Sequence, residues 1–146
     1  MKLLVAVDLS EATQIIVDKV REITREYPAR VWIIHNAEPP TDFVEFKVDS
    51  LEARKSLAKK FHKEHCQIQE IADRLREAGQ DATALLVHGP TVDTILKEAS
   101  DLDVDMIVVG THGRGAMHGL LVGSVSRGVL QKSTHPVLVI PTYSHR

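Results

Sequence analysis

Residues 106–124 read MIVVGTHGRGAMHGLLVGS, a strictly apolar run passing without a break into fifteen positions that hold five glycines. Nothing in MIVV alternates with polar residues, which is how a strand covered on both faces reads. Glycine loses more backbone freedom on folding than any other residue, so this density after a buried strand asks for a positional reason. A connection of about a dozen residues is also longer than most strand-to-helix loops, and such length accompanies function.

Four further apolar, β-branched runs lie outward from this one: LLVAV (3–7), VWIIH (31–35), ATALLVH (82–88) and VLVI (137–140). The segments between them have helical spacing. Ala12, Ile16, Val20 and Ile23 line the first, with Ser10 as its N-cap. Leu57, Phe61, Ile68, Ile71 and Leu75 line the second, which starts near Asp49–Ser50 and stops at Gly79. Val92, Ile95, Leu96 and Ala99 line the third, with Pro90 in its first turn. The fourth runs from about Ser124 to Ser133, with Val125, Val129 and Leu130 facing inward. Strand and helix in alternation predict an α/β fold, a doubly wound five-stranded parallel sheet with helices on both faces. Right-handed crossovers restrict the strand order to a few possibilities. Residues 36–50, rich in Pro and Asp, read as a loop, and the whole of 1–146 as a single domain.

The chain has 146 residues, 43% hydrophobic and 26% charged, with a formal net charge of −2. That composition is globular and offers no basic field for nucleic acid. The positives Arg54, Lys55, Lys59, Lys60 and Lys63 are interleaved with Glu52 and Glu64 and read as a solvated helix face. One cysteine, Cys66, forbids an internal disulfide and suggests a reducing compartment. MKLLVAVDLS is too short in apolar run for a secretory signal, and no stretch approaches a membrane span. A cytoplasmic protein with no membrane insertion is expected.

In an open doubly wound sheet, ligands collect where the strand order reverses. With the order 3-2-1-4-5, that crevice lies between strand one, ending at Asp8, and strand four, ending at Gly110. Gly110 would let the strand turn and a ligand approach the backbone, and Gly113 would aim amide groups inward. Gly123-Ser124 precedes the last helix, whose first N–H groups and dipole suit a phosphate. Ser124 and Ser126 would add hydroxyl donors, and Arg114 would pair with phosphate oxygens. No Gly-Lys-Ser/Thr ends the loop, and His118 stands where a GxGxxG fingerprint needs glycine, so both of those phosphate motifs fail.

What the stretch does carry is G-x2-G-x9-G-(S/T), in Gly110, Gly113, Gly123 and Ser124. With MKLLVAVDLSEAT at the start and LLVGSVSRGVLQKSTHPVLVIP at the end, the chain resembles the ATP-binding subgroup of the universal stress protein family over its full length. The resemblance implies the strand order 3-2-1-4-5, ATP at the crevice with Mg2+ held mainly by the phosphates, and a homodimer. By position, Ala6, Val7 and Asp8 would line the ribose side and Val109 would pack on the base. Asn36 stands where the family's backbone meets adenine, although an aliphatic residue is common there. Gly110, Gly113 and Arg114 would flank ribose and phosphates, and Gly123, Ser124 and Val125 would bind the phosphates.

Simpler roles stand beside these. Asp8 can cap the first helix, a role compatible with ligand contact. His112 and His118 read as solvated loop histidines, and His62, His65 and Cys66 as a helix surface without a correctly spaced metal partner. Trp32 reads as core. No nucleophile–base–orienter set is present, so a binder rather than an enzyme is expected. The last strand, Val137 to Ile140, is apolar and uncharged, and such an edge invites pairing with a copy of itself. The function expected is an ATP-dependent regulatory factor in stress survival. The alternatives are an accessory subunit regulating a transporter and a slow ATPase.

Overall fold

A computed structural model describes residues 1–37, 51–112 and 122–143. Five strands form one sheet: β1 (Lys2–Ala6), β2 (Arg30–Asn36), β3 (Asp81–Val87), β4 (Met106–Gly110) and β5 (Val137–Ile140). Their spatial order is β3-β2-β1-β4-β5, and every adjacent pair is parallel. The helices are α1 (Ala12–Thr24), α2 (Leu51–Glu77), α3 (Thr91–Asp101) and α4 (Ser124–Lys132).

Alternate residues along each strand serve two separate cores, as the period of two requires. Leu3, Val5, Val31, Ile33 and Val108 face α1 and α2, meeting Ile16, Val20, Ile68 and Leu75. Leu4, Trp32, Ile34, Ile107 and Val109 face α3 and α4, meeting Ile95, Ala99 and Val129. Both faces of the sheet are therefore dry, which is why the strands read as unbroken apolar runs. Trp32 is core as expected, with the Arg30 guanidinium 4.9 Å from its ring centroid.

Helix ends follow their local chemistry. Gly79 at φ +91° closes α2: its N–H donates to Arg76 O and that of Gln80 to Leu75 O, the paired bonds of a glycine C-cap. α1 starts one residue later than a Ser10 cap would place it. Glu11 precedes the helix, while Ser10 accepts the Ala12 N–H on its hydroxyl and the Thr13 N–H on its carbonyl. Pro90 stands just before α3 rather than within its first turn, and its carbonyl accepts the Thr94 N–H.

The inward face of α4 differs from the expectation. Val129 is fully buried, whereas Leu130 is 46% exposed. A Cβ on Gly128 would lie 2.7 Å from Val92 Cγ2, so α4 lies hard against α3 at that glycine. At about 100° per residue, the covered arc then runs from Gly128 through Val125 and Val129 to Ser126, and Leu130 falls beyond it. In urea denaturation, Val129→Ala is expected to cost about 2 kcal/mol, and Leu130→Ala less than about 0.5 kcal/mol. Equal losses would place the helix face wrongly.

Candidate functional site

β1 and β4 pair only from Leu3↔Met106 to Val5↔Val108. Beyond that point β1 stays with β2, through Ala6↔Ile34 and a Val7 N–H donated to Ile34 O at 3.0 Å. β4 stays with β5, through Gly110↔Ile140 and a Thr111 N–H donated to Ile140 O at 2.9 Å. The helices that follow pack on opposite faces, α1 in one core and α4 in the other. A crevice therefore opens at the carboxyl end of the sheet, with Ala6–Asp8 on one wall and Val109–Gly110 on the other.

On the first wall Val7 is buried, and Ala6 and Asp8 are half-buried. The Asp8 carboxylate accepts the Ser10 N–H at 3.0 Å, spanning Leu9, which sits at φ +62°. An Asp side chain bonding two residues ahead is a recurrent way to hold such a turn. Asp8 thus braces the turn before α1 instead of capping the helix as expected, since the Ser10 N–H it accepts lies outside α1 and Glu11 stands at the N-cap.

A second brace was not legible as a site. His35 Nδ1 lies 3.0 Å from the Val7 carbonyl and Nε2 3.3 Å from Glu64 Oε2. Both partners are acceptors, so only a ring carrying both protons donates to both. The His35 and Glu64 side chains are 9% and 12% exposed, and Lys60 Nζ lies 3.8 Å from Glu64 Oε1. Glu64 therefore leaves the solvated face on which the sequence pattern placed it. Its charge is carried inside by a partner, the usual condition for a buried carboxylate. His62, His65 and Cys66 are exposed on α2, as expected.

Asn36 ends β2. Its Nδ2 donates to Gly89 O and Thr91 Oγ1, both at 2.9 Å, tying β2 to the turn that begins α3. That bridge accounts for a polar residue here. The Asn36 Oδ1 and the Thr13 Oγ1 are buried without a hydrogen-bond partner, and they are the two such side-chain atoms among the described residues. One belongs to the last residue of β2 and the other to the first turn of α1, so both sit on elements flanking the crevice. Buried oxygens left without a donor fit a site that receives a ligand or ordered water.

The second wall is tightly filled. A Cβ on Gly110 would lie 2.8 Å from Thr142 Cγ2 and 2.9 Å from Ile16 Cδ1. The space a side chain at Gly110 would take is thus filled by the protein's own methyl groups, which is a packing reason for the glycine beside the expected one. Val109, 2% exposed, lies in the core beneath α3 and α4. Ser126 is buried and its hydroxyl donates to the Gly110 carbonyl, so it is not the outward donor expected. The Gly123 N–H donates to Thr111 O at 2.6 Å. Gly123 is extended (φ −68°, ψ 166°) immediately before α4, where Ser124 is exposed and Val125 half-buried. The first-turn amides of α4 have no acceptor within the helix, and the helix dipole makes that end attractive to an anion. Gly113, Arg114 and His118 lie outside the described residues.

Among the described residues no group of three or more His, Cys, Asp or Glu is placed to hold a metal ion. Nor is any helix among them long and apolar enough to cross a membrane. On exposed helix faces, a hydrogen bond from Lys19 lowers Glu22, and one to Asp101 raises Lys97.

The sequence model described as "Universal stress protein family" matches residues 1–141. A universal stress protein of Thermus aquaticus is 32% identical over 114 residues, 77% of each chain. Universal stress protein MJ0577 of Methanocaldococcus jannaschii is 36% identical over 73 residues, half of this chain and 45% of that one. Among solved structures, hypothetical protein MJ0577 superposes with a TM-score of 0.85 at 27% identity, covering 99% of this chain and 97% of that one. A universal stress protein in complex with cAMP shares the fold, with a TM-score of 0.67 at 24% identity and 98% of both chains covered. So does one from Archaeoglobus fulgidus in complex with dAMP, at a TM-score of 0.64 and 22% identity, covering 96% of this chain and 97% of that one.

The packing at Gly110 makes a checkable claim. Gly110→Ala is expected to lower stability by about 1–3 kcal/mol through overpacking. Adding Thr142→Ser, which removes the opposing methyl, is expected to restore part of that loss. Additive losses in thermal denaturation would mean that the two side chains do not compete for one space.

Proposed function

The chain belongs to the universal stress protein family, and on that premise we propose that it is a nucleotide-binding regulatory protein whose ligand is ATP. The observation that carries this reading is the parting of β1 and β4 after Val5↔Val108, which separates the strand end leading to Asp8 from the strand end at Gly110. The cAMP and dAMP complexes of proteins with this fold support an adenine nucleotide. The two unpartnered buried oxygens beside the crevice support a ligand of mixed polarity.

In this reading the Asp8 carboxylate receives ribose hydroxyl protons, and the main chain at Ala6, Val7 and Asn36 lines the sugar and base. Val109 backs that wall from the core. The free amides of Ser124 and Val125 at the start of α4 take phosphate oxygens, joined by Gly113 and Arg114. Gly123 contributes its conformation, since its N–H is committed to Thr111. The polyphosphate brings its own Mg2+, with the metal held mainly by phosphate oxygens. The protein is read as cytoplasmic, acting by binding rather than by catalysis. It pairs with a second copy through the outer edge of β5, Val137 to Ile140, antiparallel across a two-fold axis.

Isothermal titration with ATP and magnesium is expected to show saturable binding, and no detectable heat at millimolar nucleotide would sink the reading. Asp8→Asn keeps an oxygen for the Ser10 N–H but removes the charge. It is expected to weaken ATP about tenfold, the worth of a charge-assisted hydrogen bond. In sedimentation at micromolar concentration the dimer mass is expected, and a monomer would remove the β5 pairing.

A further inference from the structure

We propose that Thr142, which lies outside the glycine signature, is a positioning residue for the phosphate subsite: through Thr111 and His112 its hydroxyl fixes where the first turn of α4 stands against the crevice. The proposal rests on the nucleotide reading above and adds a residue to it.

The contacts form a closed ring. Thr142 Oγ1 lies 3.0 Å from the His112 carbonyl, 3.1 Å from the His112 N–H and 3.2 Å from Thr111 Oγ1. Thr111 Oγ1 lies 3.0 Å from the Thr142 N–H and 3.3 Å from His112 Nδ1. A hydroxyl has one proton and accepts twice, which determines every direction here. A carbonyl only accepts, so the Thr142 proton goes to His112 O. The Thr111 proton then goes to Thr142 Oγ1, and Thr111 Oγ1 accepts from the Thr142 N–H and from His112 Nδ1–H. His112 consequently donates from Nδ1 in this ring of bonds. Its ring centroid lies 4.9 Å from that of Tyr143, the rings tilted by 57°, a further tie between the same two segments.

From this ring the path to α4 is short. The Thr111 carbonyl accepts the Gly123 N–H, and the carbonyl of Gly110 accepts the Ser126 hydroxyl. The strand end that Thr142 holds is thus the strand end that α4 is hung from. Thr142 also fills the space beside Gly110 with its methyl, and that half of the side chain serves packing alone. The two halves are separable. Thr142→Val keeps the shape and the methyl and deletes the hydroxyl, whereas Thr142→Ser keeps the hydroxyl.

The experiment compares ATP with adenosine by isothermal titration for wild type and both variants, with thermal denaturation alongside. Thr142→Val is expected to weaken ATP more than tenfold and adenosine less than twofold, because sugar and base rest on the β1 and β2 side. Thr142→Ser is expected to stay within threefold of wild type for ATP. A wild type that fails to bind ATP overturns the nucleotide reading and this proposal together. A wild type that binds, with an unchanged ATP-to-adenosine ratio in Thr142→Val, overturns this proposal alone. Should Thr142→Val not fold, Thr111→Val cuts the same ring from the other side, and an unchanged ratio there is equally fatal. Nitrogen NMR of the His112 side chain is expected to report a proton on Nδ1 in wild type, and a bare Nδ1 would refute the ring of bonds.

Discussion

β1 and β4 lie side by side for three residue pairs and then separate, because each is claimed by its other neighbour. This follows from the strand order. β1 is the middle of the sheet, and the chain leaves it toward β2 on one side, whereas it leaves β4 toward β5 on the other. Helices packed on opposite faces cannot cover the gap between those two strand ends. Every polar feature of the crevice rim is placed by that parting: the Asp8 turn, the Gly110 carbonyl and the start of α4.

Inside this frame the rim is stiffened by side chains that satisfy backbone groups where the ladders stop. His35 holds the Val7 carbonyl, Asn36 the turn at Gly89, Ser126 the Gly110 carbonyl, and Thr142 both backbone groups of His112. Backbone groups at strand ends cost free energy if buried without partners, so the loss of regular pairing has to be offset locally. The result is a wall whose donors and acceptors are mostly consumed within the protein. Among the described residues, the rim groups left without an acceptor inside their own element are the first amides of α4. A site with few open valences selects by shape and by polyanion charge more than by a long list of contacts.

The strands and the glycine signature were legible in the sequence because each rests on a local pattern (unbroken apolar runs, glycine spacing, helical periodicity), and the strand order followed from the family resemblance which that signature carries. MIVVG and VLVI coincide with β4 and β5 to the residue. Apart from the one-residue shifts at the starts of α1 and α3, the departures are cases of partner choice that local pattern does not encode. Nothing in the charge interleaving of KEHC (63–66) could reveal that Glu64 turns inward to His35, twenty-nine residues away in sequence. Gly110 read as an opening for a ligand, and the packing reason beside that one lies in a methyl of Thr142, which no motif marks. Ser126 looked like a phosphate donor until a strand-end carbonyl claimed its proton. Leu130 looked buried because periodicity alone does not say how far a helix is rotated by a close contact such as Gly128 on Val92.

The sheet order also has a consequence for biosynthesis. β1 leaves the ribosome first but needs β4, about a hundred residues later, before it is enclosed on both edges: the Lys2 N–H reaches Asp105 across 103 positions. Until then the nascent β1–β2–β3 ladder offers a bare apolar margin to solvent or to a chaperone. The crevice rim is later still, since Thr142 must emerge before Thr111 and His112 find their bonds. β5 and Thr142 are neighbours in sequence, so translation supplies the last strand and the tie of the rim almost together, and a chain clipped before Val137 would lack both.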